Sequence, residues 1–301
     1  VIDSMVDRAA SILERRFLTN AFLPVVLLLP IVGLPALVQS RKIDQLVAEW
    51  SQFSIGMKAF IVVGYFTLCW FGAVILASQW RNIVRLFEGY PLWRWPWIDR
   101  VGKQWHEALS YQLGKRGRQH WYLQYSRYPP PREVLPTRLG NVLRAAERYP
   151  EQRYGAEMIL IWPRLYQVLP RDAIDDVEGA RSSMEFLLVL SLWFTAFTAT
   201  APVAVVLVKG APLVAVVCFA VGSAGAYAAY LSAIVAAAEY GEQLRSIFDV
   251  YRLELLRRLN LPPVHDITEE RRQWQALGAL IGRRVLPTWK YGNGVAAPED
   301  S

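Results

Sequence analysis

Cysteine is nearly absent from this chain, with Cys69 and Cys218 the only two in 301 residues. Both stand alone inside apolar runs, which excludes a disulfide framework or a thiolate metal cluster and leaves each as a small apolar side chain. Histidine is almost as scarce. His106, His120 and His265 are at least 14 residues apart and lack the H-E-x-x-H spacing that brings two imidazoles together, so surface or interface positions are expected and no metal site is assigned.

Other absences narrow the chemistry. No G-x-x-x-x-G-K-[ST] phosphate loop, G-x-G-x-x-G turn or G-x-S-x-G elbow occurs, so no cofactor and no catalytic residue is assigned. His106, Glu107, Arg144, Glu147 and Asp176 are the polar groups that an enzyme acting on lipid would draw on, but they form no pattern in the chain. The acidic run Asp172, Asp175, Asp176 and Glu178 lacks the calcium-loop spacing, and capping with a solvated connector accounts for it. Charged residues make up 20% of the chain. The basic ones are dispersed among Trp and Leu, unlike the continuous stripe of a nucleic-acid groove, so nucleic acid is not an expected partner.

What the chain has in abundance is apolar length. Four uncharged runs, residues 17–38, 59–78, 186–208 and 211–238, contain 22, 20, 23 and 28 residues. At about 1.5 Å per helical residue, each covers a hydrocarbon core of about 30 Å. The expected fold is an all-α integral membrane protein of about four transmembrane helices, with a mainly helical cytoplasmic insertion between the second and third.

The expected segments are an amphipathic stretch 1–16, a transmembrane pair 17–78 with a short far-side connection, and a basic aromatic domain 79–184. A second pair 185–238 and a helical extension with a polar tail 239–301 follow. The first run is longer than a signal-peptide core, and Arg15-Arg16 lacks the twin-arginine context, so it is read as a retained segment. Pro24, Pro30 and Pro35 predict a kinked or broken crossing there.

Residues 79–184 contain 17 Arg or Lys against 11 Asp or Glu. The positive-inside tendency places this region, and with four spans both termini, in the cytoplasm of a bacterial inner membrane. Arg41, Lys42 and Lys209 fall on the far side, against the trend.

Several stretches nominate sites. The sequence PLWRWPWI at 91–98 concentrates Trp93, Arg94, Trp95 and Trp97 just beyond the second span, where amphipathic rings and guanidinium groups meet headgroups; an aromatic core corner is the competing reading. Lys115, Arg116 and Arg118 are read either as contacts to lipid phosphates or as a solvated turn. Between the first two spans, Ile43, Leu46, Val47, Trp50 and Phe53 predict a short amphipathic helix at the outer interface.

Gly222, Gly225, Ala226, Ala229, Ala233, Ala237 and Gly241 form a small-residue stripe for close helix packing, within the chain or between copies. Beyond it, Leu244, Ile247, Phe248, Tyr251, Leu255 and Leu259 mark an apolar stripe that continues the helix. Thr195 and Thr198, with Thr200, are candidate pore-lining groups, although threonine also bonds within its own helix. Glu239, Glu242 and Arg245 make a candidate polar site or gate. Pro129–Pro131 is read as a joint, and Pro150 is expected to end the helix before it.

Together these features favour an assembly or scaffold subunit that positions a domain at the membrane surface. A homo-oligomeric channel is the alternative, followed by an enzyme acting on lipid. The expected partners are lipids, including anionic headgroups, and other membrane subunits or further copies.

Overall fold

The computed structural model describes residues 16–40, 42–115, 118–283 and 285, with side chains undescribed at Lys42 and at positions 118–121. The structure is 88% helical, with no strand among the described residues. A π-helical turn, Leu18–Phe22, leads into α1 (Leu23–Gln39), α2 (Lys42–Gln52), α3 (Ile55–Ser78) and α4 (Trp80–Glu88). A 3-10 turn, Tyr90–Arg94, precedes α5 (Pro96–Lys115) and α6 (Arg118–Arg127). After a second 3-10 turn, Pro131–Glu133, come α7 (Arg138–Tyr154), α8 (Met158–Leu165), α9 (Arg171–Leu207), α10 (Pro212–Arg258) and α11 (Ile267–Arg283). Leu18–Gln39, α3, α9 and α10 are long and apolar enough to cross a membrane.

Among the described residues, one compact unit comprises residues 16–87 and 182–235, and a second comprises 88–181 and 236–285; the boundaries fall within α9 and α10.

In the first unit the helix of the first apolar run continues through its prolines. Pro30 has no amide hydrogen, so the Val26 carbonyl one turn earlier loses its helical partner. The Tyr65 hydroxyl on α3 donates to that carbonyl at 2.5 Å, which keeps a backbone acceptor satisfied where water is excluded. The π turn falls just before Pro24, where a wider turn relieves the ring's clash with the preceding carbonyl. Ala21, Val25, Cys69 and Ala73 are buried at the contact of this helix with α3. Trp70 packs edge-on against Phe17 and Phe22, with ring centroids 4.9 and 5.7 Å away.

Two contacts fix the direction of α1 against α9. At one end Asn20 donates to the Ser182 carbonyl and hydroxyl, at 2.9 and 2.8 Å. At the other, Gln39 Oε1 accepts from the Ala211 amide just beyond α9, at 3.0 Å. The two helices therefore run parallel.

The second unit is built on Trp274, Phe248, Ile161, Leu165 and Leu139, all 0% exposed. Here α10 carries Leu244, Ile247, Phe248 and Leu255 into a core shared with Tyr154 and Ala146 of α7 and Trp274 of α11. Pro150 does not end α7, contrary to the sequence expectation. One more turn follows, and Gly155, at φ +76°, closes it with bonds from its amide to Glu151 O at 2.9 Å and from the Ala156 amide to Pro150 O at 3.2 Å. The lost amide bond is offset by burial of Tyr149 and Tyr154 on either side of it.

Candidate functional site

The segment 90–101 carries the tryptophans of PLWRWPWI and is clamped near both ends. Gly89, at φ +90°, and Gly102 lie directly against Pro136. A Cβ on Gly89 would lie 2.7 Å from Pro136 Cγ, and one on Gly102 would lie 2.7 Å from Pro136 Cβ and 2.9 Å from its carbonyl oxygen. Pro136 is in turn fixed by the buried Asn141. That side chain accepts from the Leu135 amide at 2.7 Å and donates to the Leu135 and Thr137 carbonyls, each at 2.8 Å. Thr137 caps α7 by accepting from the Gly140 amide at 3.1 Å, an interaction worth about 1 kcal/mol.

On this base Trp93, Trp95 and Trp97 are 73%, 60% and 71% exposed. Val101 and Trp105 follow Trp97 at four-residue intervals along α5, so they extend the same face by one and two turns, and both are exposed. Arg94 and Arg100 are exposed in the same segment. The Lys115 ammonium lies 4.4 Å from the centre of the exposed Tyr111 ring, a cation–π geometry. Arg116 lies outside the described residues, and for Arg118 only the backbone that opens α6 is described. An indole joins a large apolar body to one N–H donor, and guanidinium pairs with phosphate. Such a face matches the boundary between acyl chains and headgroups better than it matches water.

The small-residue stripe is occupied within the chain. A Cβ on Gly225 would fall 2.6 Å from the Phe194 ring, and one on Gly222 would strike Thr198 Oγ1. Ser191 donates to the Ala226 carbonyl at 3.0 Å, and Ala229 and Ala233 are buried. These contacts belong to the first unit. In the second, Ala237 is buried and Gly241 faces Ala146 of α7.

The Thr195, Thr198 and Thr200 hydroxyls donate to the carbonyls of Ser191, Phe194 and Ala196, at 2.8, 2.8 and 2.7 Å, each within its own helix. Glu242 accepts from Arg245 at 3.2 Å and from the Tyr122 hydroxyl at 3.2 Å. Arg245 is 5% exposed, whereas Glu239 is exposed and takes no part in that cluster.

Two polar networks had no counterpart in the sequence reading. In the second unit Tyr149 and Tyr154 donate to the two oxygens of Asp249, at 2.6 and 2.7 Å. Burial, followed by these bonds to Asp249, raises both phenol pKa values, so the hydroxyls stay donors. Beside them Arg252 lies 4.3 Å from the Tyr154 ring centre and donates to Glu270 at 2.8 Å, and the Trp274 indole donates to the same carboxylate at 3.2 Å. The Tyr–Asp partners are 100 and 95 residues apart, so no local spacing reveals them.

In the first unit the Arg16 guanidinium grips both oxygens of Glu185, which is 1% exposed. This pair lies beside the Asn20–Ser182 contact and the π turn.

His106 departs from the expected surface or interface position. It is 5% exposed, with Nδ1 3.3 Å from the Tyr128 hydroxyl. Burial, and secondarily Arg138, lowers its pKa, which favours the neutral ring. Among the described residues no group of three His, Cys, Asp or Glu side chains is placed to hold a metal ion. Comparison of the chain with protein-family models, curated proteins and solved structures returns no match.

Proposed function

We propose that this protein is a non-enzymatic integral membrane subunit. Its second unit sits against the cytoplasmic face of the bilayer and serves assembly with other membrane proteins or with further copies. The observation that carries the reading is the tryptophan face of residues 93–105, exposed on a base fixed by Pro136 and Asn141. A packed unit with a full aromatic core gains nothing by leaving three indoles in water, and at an interface the same indoles become anchors.

The excess of basic residues in 79–184 supports the cytoplasmic side and attraction to anionic headgroups. The pore reading has less support, since the threonine hydroxyls are spent within their own helix and the small-residue stripe is used inside the chain. The direct test is extraction from native membranes in mild detergent, affinity purification and stoichiometry by mass spectrometry. Different proteins held at fixed ratios are expected. Recovery of this chain alone, as a defined homo-oligomer that conducts ions in planar bilayers, would overturn the reading in favour of a pore.

A further inference from the structure

The far-side helix α2 has an apolar face that no other part of the protein covers among the described residues. Leu46, Val47, Trp50 and Phe53 are 47%, 62%, 41% and 38% exposed. Ile43, Leu46, Val47 and Trp50 fall within a stripe of about 100° on the helix, and Asp44, Gln45, Glu49 and Gln52 lie outside it. The Trp50 and Phe53 rings meet edge-on at 6.3 Å, so the stripe continues past the helix end.

The connections on either side decide what can cover it. Only Ser40 and Arg41 separate α2 from α1, and only Phe53 and Ser54 separate it from α3. Two extended residues reach about 7 Å, and the helix itself is about 16 Å long. Both of its neighbours are long and apolar enough to cross a membrane, so both ends of α2 are tethered within one headgroup layer of the hydrocarbon. A helix held at both ends can neither project into water nor enter the core; it can only lie along the surface.

We infer that α2 is an interfacial helix whose Leu46, Val47, Trp50 and Phe53 insert into the far leaflet, with phospholipid as their partner. Its charges are nearly balanced: across 41–52 two basic residues, Arg41 and Lys42, face two acidic ones, Asp44 and Glu49. Insertion therefore rests on apolar burial and does not require anionic lipid. In this it differs from the Trp93–Trp105 face.

The native cysteines suit a labelling test, because Cys69 and Cys218 are both buried. Single replacements Val47→Cys and Trp50→Cys on the apolar face, and Gln45→Cys and Gln52→Cys on the polar face, are made in the full chain. They are reacted with a membrane-impermeant maleimide in proteoliposomes of purified protein and phosphatidylcholine. The expected result is labelling of the apolar-face positions about tenfold slower than of the polar-face positions, unchanged when anionic phosphatidylglycerol is added. Equal rates on the two faces would overturn the inference. Protection present in native membranes but lost in the proteoliposomes would also overturn it, and would assign the face to a protein partner. Unlabelled protein with a circular-dichroism spectrum and a size-exclusion profile matching the parent confirms that each variant is folded.

Discussion

The two units place their side chains in opposite ways. The first keeps Asn20, Glu185 and Ser191 at 2% exposure or less and presents Phe60, Ile75 and Leu207 outward, each at least 65% exposed. The second buries Trp274, Phe248 and Ile161 completely and carries its arginine–carboxylate pairs mostly near the surface. One set of physical rules accounts for both arrangements once the surroundings differ. In hydrocarbon there is no hydrophobic gain from burying leucine, and the polar contacts must be made inside. In water, aromatic burial dominates. The Trp93–Trp105 face is where the second unit departs from its own pattern, and the proposed membrane-facing role rests on that departure.

The sharpest way to break the contrast is to remove a polar partner from the first unit. Glu185→Gln removes the buried carboxylate charge that the Arg16 guanidinium grips and should cost about 3–5 kcal/mol, read as a fall in the melting temperature in detergent. Trp274→Ala attacks the second unit's own logic. It empties a fully buried site and takes one of two donors from Glu270, which keeps Arg252, for an expected loss of about 3–5 kcal/mol, measured by chemical denaturation followed by tryptophan fluorescence.

Gly102→Val tests the base of the tryptophan face. The added atoms meet Pro136 backbone and should cost about 1–3 kcal/mol while reducing quenching of the indoles by headgroup-labelled lipid. Replacing Trp93, Trp95 and Trp97 together by Ser should change the unit's stability by less than about 0.5 kcal/mol each and yet abolish most of that quenching. Retained quenching would place the lipid-contacting indoles elsewhere.

The smallest effect concerns pH. Because the folded-state pKa of His106 is lowered, its neutral ring contributes stability in full above the unfolded value near 6.5. That contribution is lost as pH falls through the lower folded value. Stability measured from pH 7.5 to 4.5 should decline over that interval, and His106→Phe should flatten the decline.

Much of the helical architecture was legible because a long uncharged run reports itself without reference to any partner. The apolar stripe around Phe248 was likewise readable from its period. The tryptophans of 93–97 were named by composition alone. Their support was not, since Gly89, Gly102, Pro136 and Asn141 have meaning only once the chain brings them together. Pro150 was misread because proline removes one donor whatever the context, whereas the fate of the helix depends on what Tyr149 and Tyr154 bury against. His106 was misread for the same reason: an isolated histidine shows no sign of the Tyr128 hydroxyl that receives it. The Arg16–Glu185 and Tyr149–Asp249 contacts join residues 169 and 100 positions apart, beyond any spacing rule.

The hydroxyl of Tyr65 on the Val26 carbonyl has a consequence for descent as well as for geometry. That carbonyl is open to Tyr65 because position 30 is proline, so the identities of residues 30 and 65 are coupled in any lineage that keeps this crossing. A chain with alanine at 30 closes the helical bond itself and is free to exchange Tyr65 for phenylalanine. A chain that keeps Pro30 and loses the hydroxyl leaves that acceptor without its donor. The two substitutions are therefore expected to be tolerated in one historical order, proline first.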